Sequence, residues 1–478
     1  MDASKETKTI YKHFEQFAPS YPKYRKRYRY YWRAVVNFFN YYIHPDHSVL
    51  EIGCGTGETL AALKGKSKTG IDFSPAMVRV AHETHPELDI RLMDAADIQL
   101  DRTYDVVVLS HVIGYLDNVQ DVMESVRKVC HPRTRILVSY YNFFWEPVLE
   151  LAEWFGLKRK SPRQNWLSEI DIRHILTLSG FESFRAHRGM LFPVNIPVLS
   201  WLLNKYMATF PLLKGLCLNK YICARPIPEP APGWERAYTT TVVIPARNEE
   251  GNIAAALERL PEFGKSIEVI FVEGNSTDQT WQRIQEVVKT YDGPFTVRMA
   301  QQEGKGKGDA VRKGYGMATG DILMILDADL TVPPEELPKF YNAIASGKGD
   351  FINGSRLVYP MEKQAMRFLN LLGNKFFSKA FSWLLNNPVK DTLCGTKVLF
   401  RSDYEKLALN RSYFGEFDPF GDFDLLFGAH KMNLKIIDLP IRYRERTYGD
   451  TNISRFSHGL LLLRMCIYAA QKIKFRII

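Results

Sequence analysis

Cysteine pairs at the spacing used for metal binding or redox chemistry are absent from this 478-residue sequence. The six cysteines are scattered, with no CxxC pair and no histidine cluster beside them, which argues against a disulfide scaffold and a zinc site and fits a reducing cytoplasm. The first ten residues lack the apolar stretch of a signal peptide. No uncharged apolar run reaches the roughly 20 residues that span a bilayer. We therefore expect a cytoplasmic protein, either soluble or peripheral on the cytoplasmic face of a membrane.

Acidic residues are missing from one stretch near the start of the chain. Between Tyr21 and Arg33, six basic residues lie among tyrosines without a single carboxylate. A second basic run, Ile441 to Ile478, has eight basic and two acidic residues in a chain whose net charge is +10. Each run predicts either a solvated face or contact with anionic lipid headgroups or phosphorylated substrates. No nucleic-acid-binding motif accompanies the charge, so we expect no nucleic acid partner.

A proline-rich stretch near the middle divides the chain. Residues 225–233 contain four prolines, which cannot continue a helix or a central strand and therefore predict a semi-rigid linker. On each side, a short apolar strand leads into a polar turn and then a helix, the pattern of an α/β domain. We expect a first domain over residues 1–224, a linker over 225–237, a second domain over 238–455 and a basic amphipathic C-terminal helix over 456–478.

A glycine-rich turn follows the first strong strand. The sequence Ser48 to Gly57 is an apolar strand running into glycines at 53, 55 and 57, which let the backbone approach a ligand closely. Glu51 lies two residues upstream, and later strands end at Asp72, at Asp94 and at Ser110-His111. In open α/β sheets, ligands bind at these carboxyl ends of strands.

This order of motifs resembles the class I S-adenosylmethionine-dependent methyltransferases. The resemblance implies a Rossmann-like fold, S-adenosyl-L-methionine as cofactor, and ribose hydroxyls held by Asp72. The implied cofactor-binding residues are Glu51, Gly53, Cys54, Gly55, Gly57, Asp72, Phe73, Asp94, Ala95 and Ser110. The methyl acceptor is open, and His111 is interpreted as a packed or hydrogen-bonded histidine in preference to a catalytic one. Aromatic residues at 140–145 and 164–167 either shape an acceptor pocket or pack in the core.

Paired carboxylates mark the second half. The apolar strand that begins at Gly320 ends at Asp327 and Asp329, whose period of two places both on one side of the strand end. There they can hold a hard divalent cation, and the cation can bridge a diphosphate. Upstream lie a strand ending at Glu273 and a basic glycine loop, Glu303 to Asp309.

These features resemble the family 2 glycosyltransferases of the GT-A fold, and within them the polyprenyl-phosphate sugar synthases of the dolichyl-phosphate mannose synthase type. The resemblance implies Mg²⁺ or Mn²⁺ at Asp327 and Asp329, and a nucleotide-sugar donor. The implied donor-binding residues are Pro245, Arg247, Glu249, Glu273, Lys305, Asp327, Ala328, Asp329, Arg356 and Arg446. Two positions depart from the family pattern: Thr331 stands where a glutamine is common, and Asn452 stands where the family has a lysine. The loss of this lysine removes a phosphate-binding cation.

The glycosyl acceptor has two interpretations. Asp422 and Asp424 resemble the segment that carries the general base in many family members, and a sugar hydroxyl would need such a base. A lipid phosphate is already ionised and needs none. The acceptor is therefore either a lipid phosphate or a glycan.

The fold expected for the whole chain is α/β, with two doubly wound domains: a Rossmann-like methyltransferase domain followed by a GT-A glycosyltransferase domain. The function expected is a bifunctional methyltransferase and metal-dependent, inverting glycosyltransferase of cell-envelope glycan or glycolipid synthesis. Two alternatives stay open. One is a glycosyltransferase with a non-catalytic, methyltransferase-like binding module, and the other is a membrane-docked scaffold.

Overall fold

The chain folds into two compact units in the computed structural model, which describes residues 5–162, 164–356, 368–411, 421, 423–442, 444, 448 and 455–475. The first unit comprises residues 1–227 together with 473–478, and the second comprises residues 228–472. Among the residues described, no helix combines the length and the apolar character that crossing a bilayer requires.

The first unit is built on a seven-stranded sheet in the order β3-β2-β1-β4-β5-β7-β6. Its strands are β1 (Ser48–Ile52), β2 (Ser67–Asp72), β3 (Asp89–Leu92), β4 (Tyr104–Ser110), β5 (Cys130–Tyr141), β6 (Phe181–Gly189) and β7 (Asn219–Pro226). Strands β1 to β5 are parallel, and β7 runs antiparallel to both β5 and β6. The strand order reverses between β1 and β4, which places a ligand crevice at their carboxyl ends.

Nine helices are described in the first unit. They are α1 (Lys5–Phe17), α2 (Tyr21–Arg27), α3 (Arg29–Tyr42), α4 (Glu58–Ala62), α5 (Pro75–Thr84), α6 (Val119–Arg127), α7 (Glu146–Trp154), α8 (Glu169–Leu178) and α9 (Leu199–Lys205). Strands β1 and β4 are buried on both faces: consecutive residues point to opposite faces of a strand, and in β1 both Val49 and Leu50 are inaccessible to solvent, as are Val107 and Val108 in β4. This burial explains why these strands appear in the sequence as continuous apolar runs.

The second unit has a seven-stranded sheet in the order β10-β9-β8-β11-β13-β12-β14. Its strands are β8 (Thr239–Ala246), β9 (Ser266–Glu273), β10 (Thr296–Gln301), β11 (Ile322–Ile325), β12 (Phe351–Ser355), β13 (Lys397–Phe400) and β14 (Ile436–Pro440). Strands β8 to β11 are parallel, and β13 is antiparallel to β11 and β12. The order reverses between β8 and β11, which defines the ligand crevice of this sheet.

The described helices of the second unit cover both faces of its sheet. They are α10 (Ile253–Glu258), α11 (Thr280–Thr290), α12 (Lys307–Met317), α13 (Leu337–Ala345), α14 (Phe368–Leu385), α15 (Arg401–Leu409), α16 (Phe423–Lys431) and α17 (Arg455–Ala469). Val242 and Ile244 of β8 belong to one hydrophobic core, and Val243 between them belongs to another. The prediction of two α/β domains, Rossmann-like and then GT-A, is confirmed.

Two boundaries differ from those expected. Arg225 and Pro226 complete β7 instead of starting the linker, and Arg225 donates to Glu182 at 2.7 Å. Pro226 is the last residue of the strand and lies beyond Ala224, the last β7 residue that pairs with β5. At the other end of the chain, α17 begins at Arg455 and buries Leu462, Met465 and Ala469.

The exposed side of α17 also carries apolar side chains. Leu460, Leu463 and Ile467 repeat at helical spacing and are exposed. The helix therefore combines a packed face with an apolar solvent face, and the predicted contact between this tail and a membrane surface stays a prediction.

Candidate functional sites

The glycine turn after β1 is held against the end of β2. Gly53, Gly55 and Gly57 all have positive φ, and a Cβ on Gly53 would lie 2.5 Å from the Val112 side chain. The Gly55 N–H donates to Asp72 Oδ2 at 2.8 Å, and the Ser74 N–H donates to Asp72 Oδ1 at 3.0 Å. Burial raises the pKa of Asp72 to about 6 although both of these bonds lower it. The predicted cofactor loop and the strand-end acid thus form one site.

Two buried oxygens at this crevice lack hydrogen-bond partners among the described residues. They are Oε2 of Glu51 on β1 and Oγ of Ser110 on the adjacent strand β4. Burial raises the pKa of Glu51 to about 8, against a smaller opposing effect of Arg25. A buried carboxyl oxygen without a partner suits a ligand that brings an ammonium or hydroxyl group, and a bound ammonium would favour the ionised form of Glu51. The residues present therefore fit S-adenosylmethionine.

The other predicted cofactor residues lie around the same crevice. Cys54 is buried and packs near Gly70, where a Cβ would lie 2.7 Å from its Sγ. Phe73 is partly exposed, and its ring packs edge-on to Tyr11 at 5.9 Å. Asp94 is exposed and accepts from the Ala96 N–H at 2.9 Å, and Ala95 beside it is half-buried.

The N-terminal helices supply contacts that sequence reasoning missed. Arg25, which the acid-free run suggested would be solvated or bind anions, is buried and donates to Thr59 Oγ1 at 2.6 Å. Its guanidinium also lies 3.6 Å from the centre of the Trp32 ring. Glu15 of α1 accepts from the Ser74 hydroxyl at 2.6 Å. No sequence signal distinguishes Arg25 from its basic neighbours, because only the fold turns its side chain inward.

His111 lies at the end of β4 in a buried hydrogen-bonded chain. Tyr31 donates to Asn219 Oδ1 at 2.7 Å, so its oxygen accepts from His111 Nε2, also at 2.7 Å. Ser139 Oγ lies 2.9 Å from Nδ1 and donates to it. Burial lowers the pKa of His111 to about 3, which keeps the ring neutral. His111 also lines a small cavity together with Tyr140, Tyr141, Gln164 and Trp166.

In the second unit, the paired carboxylates lie where β11 ends at the crevice. Lys307 Nζ lies 2.5 Å from Asp327 Oδ1. Burial by itself raises the pKa of Asp327, but the Lys307 ammonium, with Arg356 and Lys397, brings it below its ordinary value. Asp329 Oδ1 accepts from the Thr331 N–H at 3.1 Å and from its hydroxyl at 2.8 Å. Thr331, a departure from the family pattern, therefore orients the second carboxylate.

Gly395 makes room for the carboxylate pair. A Cβ at this position would lie 2.1 Å from both Asp327 Oδ2 and Lys307 Nζ. The sequence prediction selected Lys305, but the structure leaves Lys305 exposed and brings Lys307 to the carboxylate. The alternation of lysine and glycine in this loop does not indicate which lysine turns inward.

The described residues contain no cluster of three or more histidine, cysteine or acidic side chains that could hold a metal ion. Mg²⁺ is commonly bound by one or two carboxylates together with substrate phosphates and water. Asp327 and Asp329 fit that arrangement, with the diphosphate of a donor supplying the remaining oxygens.

The predicted donor residues Glu249 and Glu273 are both buried at neighbouring strand ends. Glu249 accepts from the Asn252 amide at 2.8 Å, and Glu273 accepts from the Ser276 N–H at 2.5 Å. Pro245 and Arg247 flank the end of β8, and Arg247 is exposed. Ala328 is buried between the two aspartates. Arg446 lies outside the described residues.

Arg356 holds a buried acid. Its guanidinium donates to both oxygens of Asp391, at 2.7 and 2.9 Å, and its backbone N–H donates to Oδ2 at 3.1 Å. Asp391 is inaccessible to solvent. Burial favours a raised pKa for Asp391, but Arg356 outweighs it and the net pKa is lowered. Arg356 was predicted to bind the donor, and the structure assigns it a carboxylate partner that sequence reasoning missed.

The two predicted catalytic acids have different outcomes. Asp422 lies outside the described residues. Asp424, on the first turn of α16, is buried and lies 3.2 Å from Arg411 Nε. Because Oδ2 of Asp424 is ion-paired with the Arg411 guanidinium, the contacts favour a structural role for Asp424. Its assignment as a base stays a prediction.

Comparison with known proteins identifies the class of each unit. The family model described as glycosyl transferase family 2 matches residues 241–408, and the one described as methyltransferase domain matches residues 24–184. The chain therefore carries a methyltransferase domain followed by a family 2 glycosyltransferase domain, which confirms the predicted resemblances and the two transferase classes.

Three similar proteins illustrate these matches. The dolichol-phosphate mannosyltransferase of Pyrococcus furiosus is 38% identical over 45% of this chain and 58% of its own length. The low-salt glycan biosynthesis hexosyltransferase Agl6 of Haloferax volcanii is 30% identical over 49% of this chain and 54% of its own. A solved S-adenosylmethionine-dependent methyltransferase of Thermotoga maritima is 14% identical, with a TM-score of 0.35, over 46% of this chain and 100% of its own. The chain thus spans little more than half the length of the first two relatives.

Proposed function

We propose that this protein is a bifunctional transferase. Its second unit transfers a sugar from a nucleotide-sugar donor, with inversion and with a divalent metal, to a lipid phosphate or glycan. Its first unit transfers a methyl group from S-adenosylmethionine. The observation that carries the glycosyltransferase proposal is the pair of carboxylates, Asp327 and Asp329, that follows β11 at the crevice. Lys307 forms an ion pair with Asp327.

The residues of this crevice have distinct roles in the proposal. Asp327 and Asp329 hold Mg²⁺ or Mn²⁺, which supplies charge stabilisation for the diphosphate leaving group. Thr331 fixes the orientation of Asp329 through two hydrogen bonds. Lys307 balances the charge of Asp327 in the donor-free protein and is placed to contact a donor phosphate when one is bound.

We favour a lipid phosphate as the glycosyl acceptor. A phosphate oxygen is ionised at neutral pH and attacks without a general base, and Asp424 is engaged by Arg411. The names of the relatives, a dolichol-phosphate mannosyltransferase among them, support the same class of acceptor. We place the reaction in cell-envelope glycan or glycolipid synthesis, at the cytoplasmic face of a membrane.

In the first unit, Asp72 and the glycine turn bind the cofactor, and Glu51 accepts a hydrogen bond from it. Both ring nitrogens of His111 are already hydrogen-bonded to Ser139 and Tyr31. His111 therefore orients Tyr31 rather than removing a proton from an acceptor. This arrangement suits methyl transfer to an acceptor that needs no base, and it equally supports the second candidate, a non-catalytic module that binds S-adenosylmethionine.

The deciding experiment incubates purified protein with a panel of nucleotide sugars, with Mg²⁺ or Mn²⁺, and with polyprenyl phosphate. We expect nucleotide release and transfer of labelled sugar into the lipid phase, both abolished by chelator and by Asp329→Ala. Asp292→Ala removes an exposed acid between α11 and β10 of the same unit and serves as the control. Full activity of Asp329→Ala, or in excess chelator, contradicts the proposal.

Calorimetry with S-adenosylmethionine tests the first unit separately. Asp72→Ala removes the acceptor of two hydrogen bonds that order the glycine turn, so we expect affinity to fall by about tenfold or more. Asp97→Ala, an exposed neighbour of Asp94, is the control. Equal affinity of the Asp72 variant and the wild type contradicts the assignment. Binding without methyl transfer to any acceptor in a cell extract favours the binding module.

A further inference from the structure

Two segments of the first unit expose an unusual number of large apolar side chains. Segment A is residues 143–157, which includes α7, and segment B is residues 194–216, which includes α9. More than half of the exposed large hydrophobic residues described in the whole chain lie in these two segments. Examples are Phe144, Trp154 and Phe155 in segment A and Val198, Trp201 and Leu212 in segment B, with Leu212 94% exposed. Helix α7 buries none of its residues.

Segments A and B form one surface because they leave the sheet at the same place. Segment A follows the end of β5, segment B precedes the start of β7, and Tyr141 of β5 pairs with Asn219 of β7. Trp145 Nε1 donates to the Leu216 carbonyl at 2.7 Å, and the Asn142 amide donates to the Gly215 carbonyl at 2.9 Å. Large contiguous apolar patches on a protein surface mark an interaction site.

A belt of positive charge borders this surface. Residues 21–33 contain no acid and form α2 and the start of α3. Tyr28 donates to the Leu157 carbonyl of segment A at 2.7 Å, and Asn204 of segment B donates to the Tyr30 hydroxyl at 2.9 Å. The basic residues that this run exposes are Lys23, Lys26, Arg27, Arg29 and Arg33.

We propose that segments A and B, with the basic belt of α2 and α3, dock the first unit on an anionic lipid bilayer. Tryptophan and other apolar side chains enter the headgroup region, and lysine and arginine side chains meet the anionic headgroups. Segment B contains no acid. Segment A contains Glu146, Glu150 and Glu153, of which Glu153 is ion-paired to Lys158, and three consecutive basic residues, 158–160, follow it directly. A second copy of the chain is a poorer occupant, because a two-fold contact would bring two copies of the same basic belt together.

This surface lies at the edge of the sheet where the cofactor crevice also lies, because β1, β2, β4 and β5 are parallel and end there. Docking would therefore present that edge of the methyltransferase unit to lipid. The inference deepens the proposed function, which places the reaction at a membrane face, by naming the surface that binds the bilayer. Vesicle binding requires neither transfer reaction, so its failure and the failure of the proposed function are distinguishable.

The test uses the full chain and vesicles of phosphatidylcholine, with and without phosphatidylglycerol, in a co-sedimentation assay. We expect the wild type to bind the anionic vesicles. High salt should weaken this binding without abolishing it. The apolar variant Phe144→Ser, Trp154→Ser, Leu212→Ser should lower the partition coefficient by about tenfold or more. The matched control Ile170→Ser, Leu178→Ser, Leu409→Ser replaces equally exposed apolar residues elsewhere and should bind as the wild type does.

A basic-belt variant combines the substitutions Lys23→Gln, Lys26→Gln, Arg27→Gln, Arg29→Gln and Arg33→Gln. It should lose the preference for phosphatidylglycerol and most of its salt dependence. A thermal melt accompanies each variant, and the single change Leu212→Ser is measured should the triple variant be unfolded. Binding that survives in the apolar variant overturns the proposal, because another part of the chain then makes the contact. Absence of wild-type binding, or a shift of the apolar variant from dimer to monomer in sedimentation without vesicles, also overturns it.

Discussion

Lys307 and Asp327 form a close ion pair, 2.5 Å between Nζ and Oδ1, at the point where we propose that a divalent cation binds. The ammonium comes from the first turn of α12 and the carboxylate from the end of β11. An ammonium and a metal ion compete for the same carboxylate. The pair therefore makes metal affinity in the donor-free protein dependent on Lys307.

Replacing Lys307 by methionine should strengthen Mn²⁺ binding to the donor-free protein and weaken donor binding. Loss of a charge-assisted hydrogen bond to Asp327 corresponds to about tenfold or more in metal affinity. Electron paramagnetic resonance of free Mn²⁺ measures the first effect and calorimetry with nucleotide diphosphate the second. Lys289→Met is the control, because Lys289 is exposed on α11 of the same unit and belongs to no predicted site. Unchanged Mn²⁺ affinity in the Lys307 variant would show that the ion pair does not limit metal binding.

Gly395→Ala should inactivate the glycosyltransferase unit while leaving it folded. The added Cβ would lie 2.1 Å from both Asp327 and Lys307, so one of these side chains must move. We expect loss of most nucleotide release with a small change in melting temperature. Gly316→Ala is the control, since nothing lies within 4 Å of its Cβ and alanine suits a helix better than glycine. Normal kinetics of the Gly395 variant would mean that the carboxylate can be displaced without cost.

Arg356→Met should destabilise the second unit by about 3–5 kcal/mol, because it leaves the carboxylate of Asp391 buried without its charged partner. Urea unfolding followed by circular dichroism measures the change. Arg401→Met removes the exposed pair to Glu405 and should cost less than about 1 kcal/mol. A similar small cost for both variants would rule out a structural role for the buried pair.

Stability of the first unit without cofactor should fall as the pH rises from about 7 to 8, above the range in which buried His111 and His187, whose pKa values are lowered from 6.5, act in the opposite direction. Glu51 has an ordinary pKa of 4.5, raised to about 8 in the folded protein by burial. Between these values the folded state binds more protons than the unfolded state, so its stability decreases with pH, by at most about 1.4 kcal/mol per pH unit.

Glu51→Gln should flatten this dependence and raise the melting temperature at pH 8, as measured by calorimetry of the first transition. Glu83→Gln, an exposed site on α5, should leave the slope unchanged. A slope that is the same in Glu51→Gln and in the wild type would assign the pH dependence to other groups.

The strands and their terminal acids could be predicted because a buried parallel strand is a continuous apolar run. Asp72, Asp327 and Asp329 therefore lie where expected. Contacts made by flexible basic side chains could not be predicted. Nothing in the sequence separates buried Arg25 from exposed Lys23, or Lys307 from Lys305, because each choice depends on how a helix is oriented against the sheet.

Contacts between residues that lie far apart in the sequence could not be predicted either. Arg356 and Asp391 are 35 residues apart and meet only because the antiparallel strands β12 and β13 bring their ends together. The predicted start of the linker at residue 225 falls on Arg225 and Pro226, which complete the buried strand β7.

The position of β7 between β5 and β6 constrains the order in which the protein can form during synthesis. Strand β6 pairs with β7 alone, so it has no partner until the last strand before the linker has left the ribosome. Domains generally fold as units while the chain is still being made. The first sheet is therefore completed only as the second unit starts to emerge, and a nascent chain exposed no further than residue 218 would contain β6 without any strand to pair with.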